Sequence, residues 1–147
     1  MTRLLYWTER IGPAAALATI KKHVQLKLAQ VLANTGQCVR EIWSGAAAQA
    51  GLQIKTSGIP PLPVFVFDHP QAAAAKTLFS QMLLERNYLA GTAVYVTYAH
   101  TPPILAGYET AVSGAFQEMA VLLKQSPESL QARLKGPLAH TGFSRLA

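Results

Sequence analysis

The feature that most constrains the fold is a tight turn that opens a long, alanine-rich helix near the N-terminus. The turn is Gly12-Pro13, and proline is tolerated in a first helical turn because its missing N–H has no partner there. The four alanines that follow favour helix and are small enough to let another backbone come close. This start predicts either an ordinary buried helix or a helix that packs at an interface beside a site. The apolar stripe that continues it has helical spacing: Leu17, Ile20, Val24, Leu28 and Val31.

Turn and breaker residues divide the rest of the chain. Gly36 predicts the end of the first helix, and Gly51 the end of the second. Prolines in 57–63 exclude regular structure there, because proline lacks the N–H donor and has a fixed φ. The predicted helices cover about 13–33, 37–50, 71–86, 102–122 and 126–136, and the predicted strands cover 52–56, 64–67 and 94–98.

The last predicted long helix has the clearest signals. Asn87–Gly91 breaks the helix before it, and Thr101 caps its start with Pro102 at the first position. Its apolar stripe consists of Ile104, Tyr108, Ala111, Val112, Ala115, Met119 and Leu122. Together the elements predict one α+β domain over residues 1–147. It has a small antiparallel or mixed sheet of three to four strands, covered by helices and preceded by a long N-terminal helix.

The composition indicates that part of the apolar surface meets another protein. Half of the residues are apolar and only 14% are charged, which leaves more apolar surface than a monomer of this size normally exposes. No run approaches the roughly 18 apolar residues of a membrane span. The N-terminal residues 1–7 contain neither a long apolar stretch nor a signal-peptidase site. We therefore expect a cytoplasmic protein without a membrane segment.

The net charge of +6 raises the question of nucleic acid. The lysines and arginines are scattered, with no block of like charges and no interleaved aromatic residues. The pattern disfavours nucleic-acid binding, and a basic nucleic-acid-binding domain stays open only as a third hypothesis.

The cysteine and histidine pattern favours structural roles. A single cysteine, Cys38, excludes an internal disulfide, and its position among apolar neighbours favours a small buried hydrophobe over a reactive thiol. The four histidines are widely spaced, so no metal site is predicted. His100 lies between a strand end and a helix start, where site residues often occur, but a loop histidine that bonds the backbone is the favoured interpretation.

Two motifs in a fixed order resemble the class III pyridoxal-phosphate-dependent aminotransferases, in the branch around glutamate-1-semialdehyde aminomutase. The first is Thr8 five residues before Pro13, at the turn that enters the first long helix of that family's C-terminal part. The second comprises 83–91 and 98–101, where the family has a helix, a loop into a strand and a last helix. The resemblance covers roughly residues 6–123. It implies the C-terminal small domain of such an enzyme, with the large domain absent.

The resemblance also implies where the central chemistry lies. The Schiff-base lysine and the aspartate beside the pyridine nitrogen belong to the large domain, upstream of the Thr8 turn. None of the lysines here stands in a glycine-rich loop: Lys21 and Lys22 fall on a helix, and Lys55 at a strand edge. Asp68 is the only aspartate and precedes His69-Pro70 in a loop. We expect no catalytic residue in this chain, and pyridoxal phosphate bound only by the full-length parent.

One cofactor contact is implied by the same likeness. The hydroxyl and N–H of the family's threonine reach the cofactor phosphate of the neighbouring subunit, and Thr8 takes that position. A plain turn or helix-capping role for Thr8 remains the alternative. Glu9 departs from the family's pattern, which is richer in small residues, and would disfavour a phosphate unless it points away.

The function that follows from the resemblance is amino-group transfer in a complete parent, with a small amine or carbonyl compound as substrate. The partner of this chain is then either a second copy, in a homodimer, or the missing large domain. The alternative is a non-catalytic dimerisation or protein-interaction module derived from the same fold. Neither the substrate nor the choice between transaminase and aminomutase follows from these residues.

Overall fold

The fold is a mixed α+β arrangement with a small antiparallel hairpin. The computed structural model describes residues 10–125 and 127–139. Within this part no helix is both long and apolar enough to cross a membrane. The elements are α1 (Ile11–Gln25), α2 (Leu28–Ala50), β1 (Ile54–Ile59), β2 (Leu62–Phe67), α3 (Ala72–Glu85), α4 (Pro102–Leu123) and α5 (Pro127–Ala132).

The first two helices divide at a different place from the predicted one. The predicted helices 13–33 and 37–50 are wrong in their boundary, because the chain breaks at Lys27 and α2 then runs through Gly36. Lys27 adopts a left-handed backbone, with φ of 48°. A lysine has no special preference for that conformation, so the sequence carries no signal for this break. The single long N-terminal helix is therefore replaced by α1 and the first part of α2.

Gly36 is a packing residue rather than a helix end. An added Cβ at Gly36 would lie 1.6 Å from the carbonyl oxygen of Pro60. The absence of a side chain lets the hairpin turn touch the backbone of α2. The same hairpin is held from α2 by Arg40, whose Nη2 donates to the carbonyls of Ser57 (3.2 Å) and Gly58 (2.6 Å).

The proline-rich segment 57–63 forms regular structure, contrary to the prediction. It lies within an antiparallel hairpin in which Ile59 pairs with Leu62, so that Pro60 and Pro61 occupy the turn. Pro63 stands inside β2, but its nitrogen faces away from β1 and costs no bond between the two strands. These prolines are compatible with the hairpin because two of them lie in the turn and the third does not replace an N–H that would bond β1.

The sheet among the described residues has two strands, not three to four. The predicted strand 94–98 is not formed as a strand; instead residues 92–96 run along the free edge of β2, with one isolated antiparallel bridge between Val64 and Ala93. Three backbone hydrogen bonds hold this segment: Phe65 N–H to the Thr92 carbonyl at 2.9 Å, Val94 N–H to the Pro63 carbonyl at 3.1 Å, and Val96 N–H to the Pro61 carbonyl at 3.0 Å.

Proline explains why the third strand is incomplete. In an antiparallel pair, two residues that face each other exchange two hydrogen bonds. Pro61 and Pro63 stand where the reciprocal donors toward Val96 and Val94 would be, and neither has an N–H. The segment 92–96 is therefore bound to β2 by half of a ladder.

The core is an aromatic cluster between the hairpin and the helices. Phe65, which is fully buried, lies with its ring centre 4.8 Å from that of Trp43 and 5.3 Å from that of Phe79. Phe116 of α4 closes the cluster, 5.8 Å from Phe65. The predicted stripe of α4 is confirmed in its centre, where the side chains from Tyr108 to Met119 are buried at helical spacing.

The ends of α3 and α4 follow their predicted signals. Asn87 stops α3 in the left-handed conformation, with φ of 65°, and the Tyr88 N–H then donates to the Leu83 carbonyl at 2.8 Å. Thr101 is the extended residue before α4, with prolines in the first turn, although its side chain makes no capping hydrogen bond. These two ends fix the start and finish of the connecting segment 88–100.

Candidate functional site

The best-formed concave site is a cleft of about 290 Å³ between the connecting segment 88–100, α2 and α4. Its apolar walls come from Val39, Leu89, Val94, Ile104 and Leu105, and its polar or aromatic groups from Tyr88, Tyr95, His100 and Tyr108. Small residues of the connecting segment, Ala90, Gly91 and Ala93, form the rest of the lining. None of these residues is acidic.

Tyr88 reaches the cleft because α3 ends immediately before it. The left-handed turn at Asn87 directs the chain back toward α4, where the rings of Tyr88 and Tyr108 lie 5.8 Å apart. A Cβ added to Gly107 would lie 2.5 Å from the Tyr88 hydroxyl, so glycine is what admits this ring against α4. Arg86 anchors the same turn through an ion pair with Glu118 of α4. No described residue hydrogen-bonds the Tyr88 hydroxyl.

His100 is held by the backbone of its own loop. Its Nδ1 accepts a hydrogen bond from the Thr97 N–H at 2.9 Å, which confirms the predicted loop histidine that bonds the backbone. A neutral imidazole has one donor and one acceptor nitrogen. Because Nδ1 accepts, Nε2 carries the proton in the neutral ring and is the nitrogen able to bind an acceptor.

Tyr108 forms the most buried polar part of the cleft. Its hydroxyl oxygen accepts a hydrogen bond from Trp43 Nε1 at 2.8 Å. Burial raises the pKa of Tyr108 to about 12, and the bond from Trp43 opposes this rise in part. The phenol is therefore neutral at physiological pH, and no described residue accepts its proton.

The predicted cofactor contact cannot be placed. Thr8 lies outside the described residues, as does its neighbour Glu9. The turn residues that follow it do form a helix start, since α1 begins at Ile11 and includes Gly12 and Pro13.

The lysines do not fit the anchoring of pyridoxal phosphate. All seven lysines fall in the described part of the chain, and all seven are exposed. None lines the cleft between 88–100 and α4. Lys55 instead forms a surface ion pair, at 2.8 Å, with Asp68, which is the only aspartate of the chain. A Schiff-base lysine stands in a shaped pocket beside its cofactor, so the described residues do not supply that site.

The remaining sequence candidates occupy ordinary positions. Cys38 is half-buried against the core, and burial, together with the charges of Glu41 and Glu109, raises the pKa of its thiol. This is the environment of a small apolar residue rather than of an activated nucleophile. Over 10–125 and 127–139, no cluster of three histidine, cysteine or acidic side chains has the proximity to hold a metal ion.

The second unusual surface is α1, which has no buried residue. Its stripe residues Leu17, Ile20 and Val24 are 59%, 60% and 70% exposed. At 100° per residue these three side chains share one face of the helix, with Lys21 beside them. The prediction of an ordinary buried helix is wrong for this chain, and an uncovered apolar stripe takes its place.

Comparisons with known proteins identify no relative from which a function could be assigned. No protein family, curated protein or solved structure matches the chain. What the cleft and the exposed stripe of α1 can bind therefore follows from their own residues.

The sequence identified only part of the cleft. His100 was singled out by its position between two elements, and Tyr108 only as a member of an apolar stripe. Tyr88 and Trp43 were not identified as site residues. Tyr88 meets Gly107 and Tyr108 only in the folded chain, and the bond from Trp43 to Tyr108 spans 65 residues, so neither contact has a local signal.

Proposed function

We propose that this chain is the C-terminal small domain of a class III pyridoxal-phosphate-dependent aminotransferase or aminomutase-like protein, and is inactive alone. In the complete parent the reaction is amino-group transfer between a small amine and a carbonyl compound in the cytoplasm. The large domain supplies the Schiff-base lysine and the aspartate. Thr8, at the entrance to α1, contacts the cofactor phosphate of the neighbouring subunit.

The observation that carries this proposal is the uncovered stripe of α1. A folded domain that stands alone rarely extends a helix of 15 residues without burying any of them. Leu17, Ile20 and Val24 gain a favourable environment once the missing large domain or a second copy covers them. The alanines before them allow that partner backbone to approach closely.

Two further features support the same proposal. The segment 92–96 lies where a third strand of a larger sheet belongs, and we propose that it is that strand in the parent. The exposed positions of all seven lysines agree with a cofactor anchored elsewhere in the parent.

The alternative is a non-catalytic dimerisation or interaction module that uses the same helices. The stripe of α1 favours this reading equally, because it requires a partner but not a particular one. The reading frame upstream of the Met1 codon separates the two. A continuous frame that encodes a large domain, with a lysine in a glycine-rich loop, supports the enzyme part. A stop codon directly upstream, or an unrelated domain, supports the interaction module instead.

A further inference from the structure

We propose that the cleft between the connecting segment 88–100 and α4 binds a small carboxylic acid with an aromatic or branched apolar body. This proposal does not depend on the function proposed above. It rests on the size of the cleft, on the chemistry of its walls and on three hydrogen-bond donors that are at least partly buried and for which the described residues supply no acceptor.

The volume of the cleft and its apolar walls favour a ligand with a small apolar group. A volume of about 290 Å³ is just below the range of about 300–1,000 Å³ that is typical of small-molecule sites, so the cleft suits a small ligand. Val94 comes from the connecting segment, whereas Ile104 and Leu105 come from α4. Apolar side chains thus face the cleft from two sides, and an aromatic or branched group between them would leave water.

Four side chains in the lining can donate a hydrogen bond that no described residue accepts. The Tyr95 side chain is 77% exposed to solvent, whereas Tyr88, Tyr108 and His100 are at least partly buried. The Tyr88 hydroxyl has no hydrogen bond within the described residues. The Tyr108 hydroxyl accepts from Trp43 but donates to no described residue. The neutral His100 ring uses Nδ1 as an acceptor, so that Nε2 is left as a donor.

The hydrogen-bond donors in the cleft favour a ligand group that accepts hydrogen bonds. Because no lining residue is acidic, a negatively charged group is favoured. A carboxylate only accepts hydrogen bonds, and it can accept several at once. Bonds to a charged acceptor are roughly twice as strong as bonds between neutral groups. No lining residue is acidic, so no like charge opposes a carboxylate in the cleft. An amine would have only tyrosine hydroxyl oxygens as side-chain acceptors in the lining, with no carboxylate to pair with its charge.

Trp43 provides a direct readout of occupancy. Its Nε1–H binds the same Tyr108 oxygen whose proton the ligand accepts, and hydrogen bonds in such a chain polarise one another. The chain has two tryptophans, so Trp7→Phe assigns the Trp43 indole signal in a ¹H–¹⁵N NMR spectrum. The experiment titrates the full chain with phenylacetate, and separately with 2-phenylethanol and 2-phenylethylamine, which share its ring.

The expected result is a saturable shift of the Trp43 indole signal with phenylacetate. 2-Phenylethanol binds at least about tenfold more weakly, because it offers no charged acceptor. 2-Phenylethylamine also binds at least about tenfold more weakly than phenylacetate, because no lining carboxylate pairs with its charge. Tyr88→Phe weakens phenylacetate about tenfold and leaves the stability of the fold unchanged, since this hydroxyl makes no hydrogen bond within the described residues. Tyr98→Phe is the matched control, because Tyr98 is exposed outside the cleft, and it retains the wild-type affinity.

Either of two results overturns the proposal. One is no saturable shift at Trp43 with phenylacetate while the spectrum shows a folded chain. The other is equal affinity for phenylacetate and 2-phenylethanol, unaffected by Tyr88→Phe, which would show that the donors do not face the ligand.

Discussion

At the scale of single residues, two side chains and one missing side chain hold the hairpin and the cleft in place. The hairpin meets α2 at Gly36, where only a glycine lets the Pro60 carbonyl approach. The cleft is fixed at its base by the bond between Trp43 and Tyr108. Both contacts join parts of the chain that are distant in sequence, so each can be tested by one substitution.

Gly36→Ala will destabilise the fold although it raises helix propensity. The new methyl would overlap a backbone carbonyl, so α2 and the hairpin must separate, at a cost of about 2 kcal/mol or more. Gly45→Ala is the matched control in the same helix: no atom lies within 4 Å of the added Cβ, and stability rises by up to about 1 kcal/mol. Urea unfolding measures both. Equal effects at the two positions would show that Gly36 does not touch the hairpin.

Tyr108 makes stability fall at high pH. The unfolded chain releases the phenol proton near the ordinary pKa of 10, whereas the folded chain holds it to about 12. Above pH 10 the unfolded state therefore binds fewer protons than the folded state, and the free energy of unfolding decreases. The slope is about 1.4 kcal/mol per pH unit, with a total loss of about 3 kcal/mol across the window. Below pH 10 this contribution is fully present.

The measurement is urea unfolding of the wild type and of Tyr108→Phe in steps from about pH 9 to pH 11. The variant is less stable at every pH, because the Trp43 N–H loses its acceptor, but it lacks the additional fall above pH 10. Tyr98→Phe removes an exposed phenol and keeps the wild-type fall. A fall of the same size in Tyr108→Phe would place its cause in other groups.

At the scale of elements, the segment 92–96 shows how proline limits a sheet. The hairpin presents Pro61 of its turn and Pro63 of β2 to this neighbour, and each lacks the donor that a full ladder requires. The result is a bound segment with a second, open edge, at which the N–H groups of Ala93 and Tyr95 face no described acceptor.

Amide exchange will alternate along this segment. The N–H groups of Val94 and Val96 donate to the hairpin, at Pro63 and Pro61, and exchange slowly, whereas those of Ala93 and Tyr95 exchange at least about tenfold faster. Phe65, whose N–H donates to Thr92, provides a slow reference on the other side of the pair. Residue-resolved exchange by NMR measures this. Uniform protection from 93 to 96 would mean that the outer edge is also covered.

The elements that were predictable are those with local signals. α4 was predicted from its stripe and its prolines, and the end of α3 from Asn87. The sequence does not predict the hairpin, because the prolines of 57–63 indicate a break in regular structure. Their actual effect depends on whether the missing N–H would point toward the partner strand. The contact of Gly36 with the hairpin depends on tertiary structure, and the sequence holds no local sign of it or of the break at Lys27.

At the scale of the whole molecule, the described residues form a folded core and one helix, α1, that contributes no buried residue to it. The core is closed by aromatic rings from α2, β2, α3 and α4, whereas α1 buries nothing. The cleft could be predicted only through His100, because its other polar groups meet by folding. The uncovered stripe of α1 and the seven exposed lysines support the proposal that the cofactor anchor belongs to another part of a longer polypeptide.

Reductive labelling tests this claim most directly. The chain alone, and a longer polypeptide where an open upstream frame encodes one, are each treated with pyridoxal phosphate and borohydride, and the modified lysines are mapped by mass spectrometry. We predict a single stoichiometrically labelled lysine, located before Met1, with only scattered partial labelling among the seven lysines from Lys21 to Lys135. Stoichiometric labelling of one of those seven lysines in the chain alone would contradict the account.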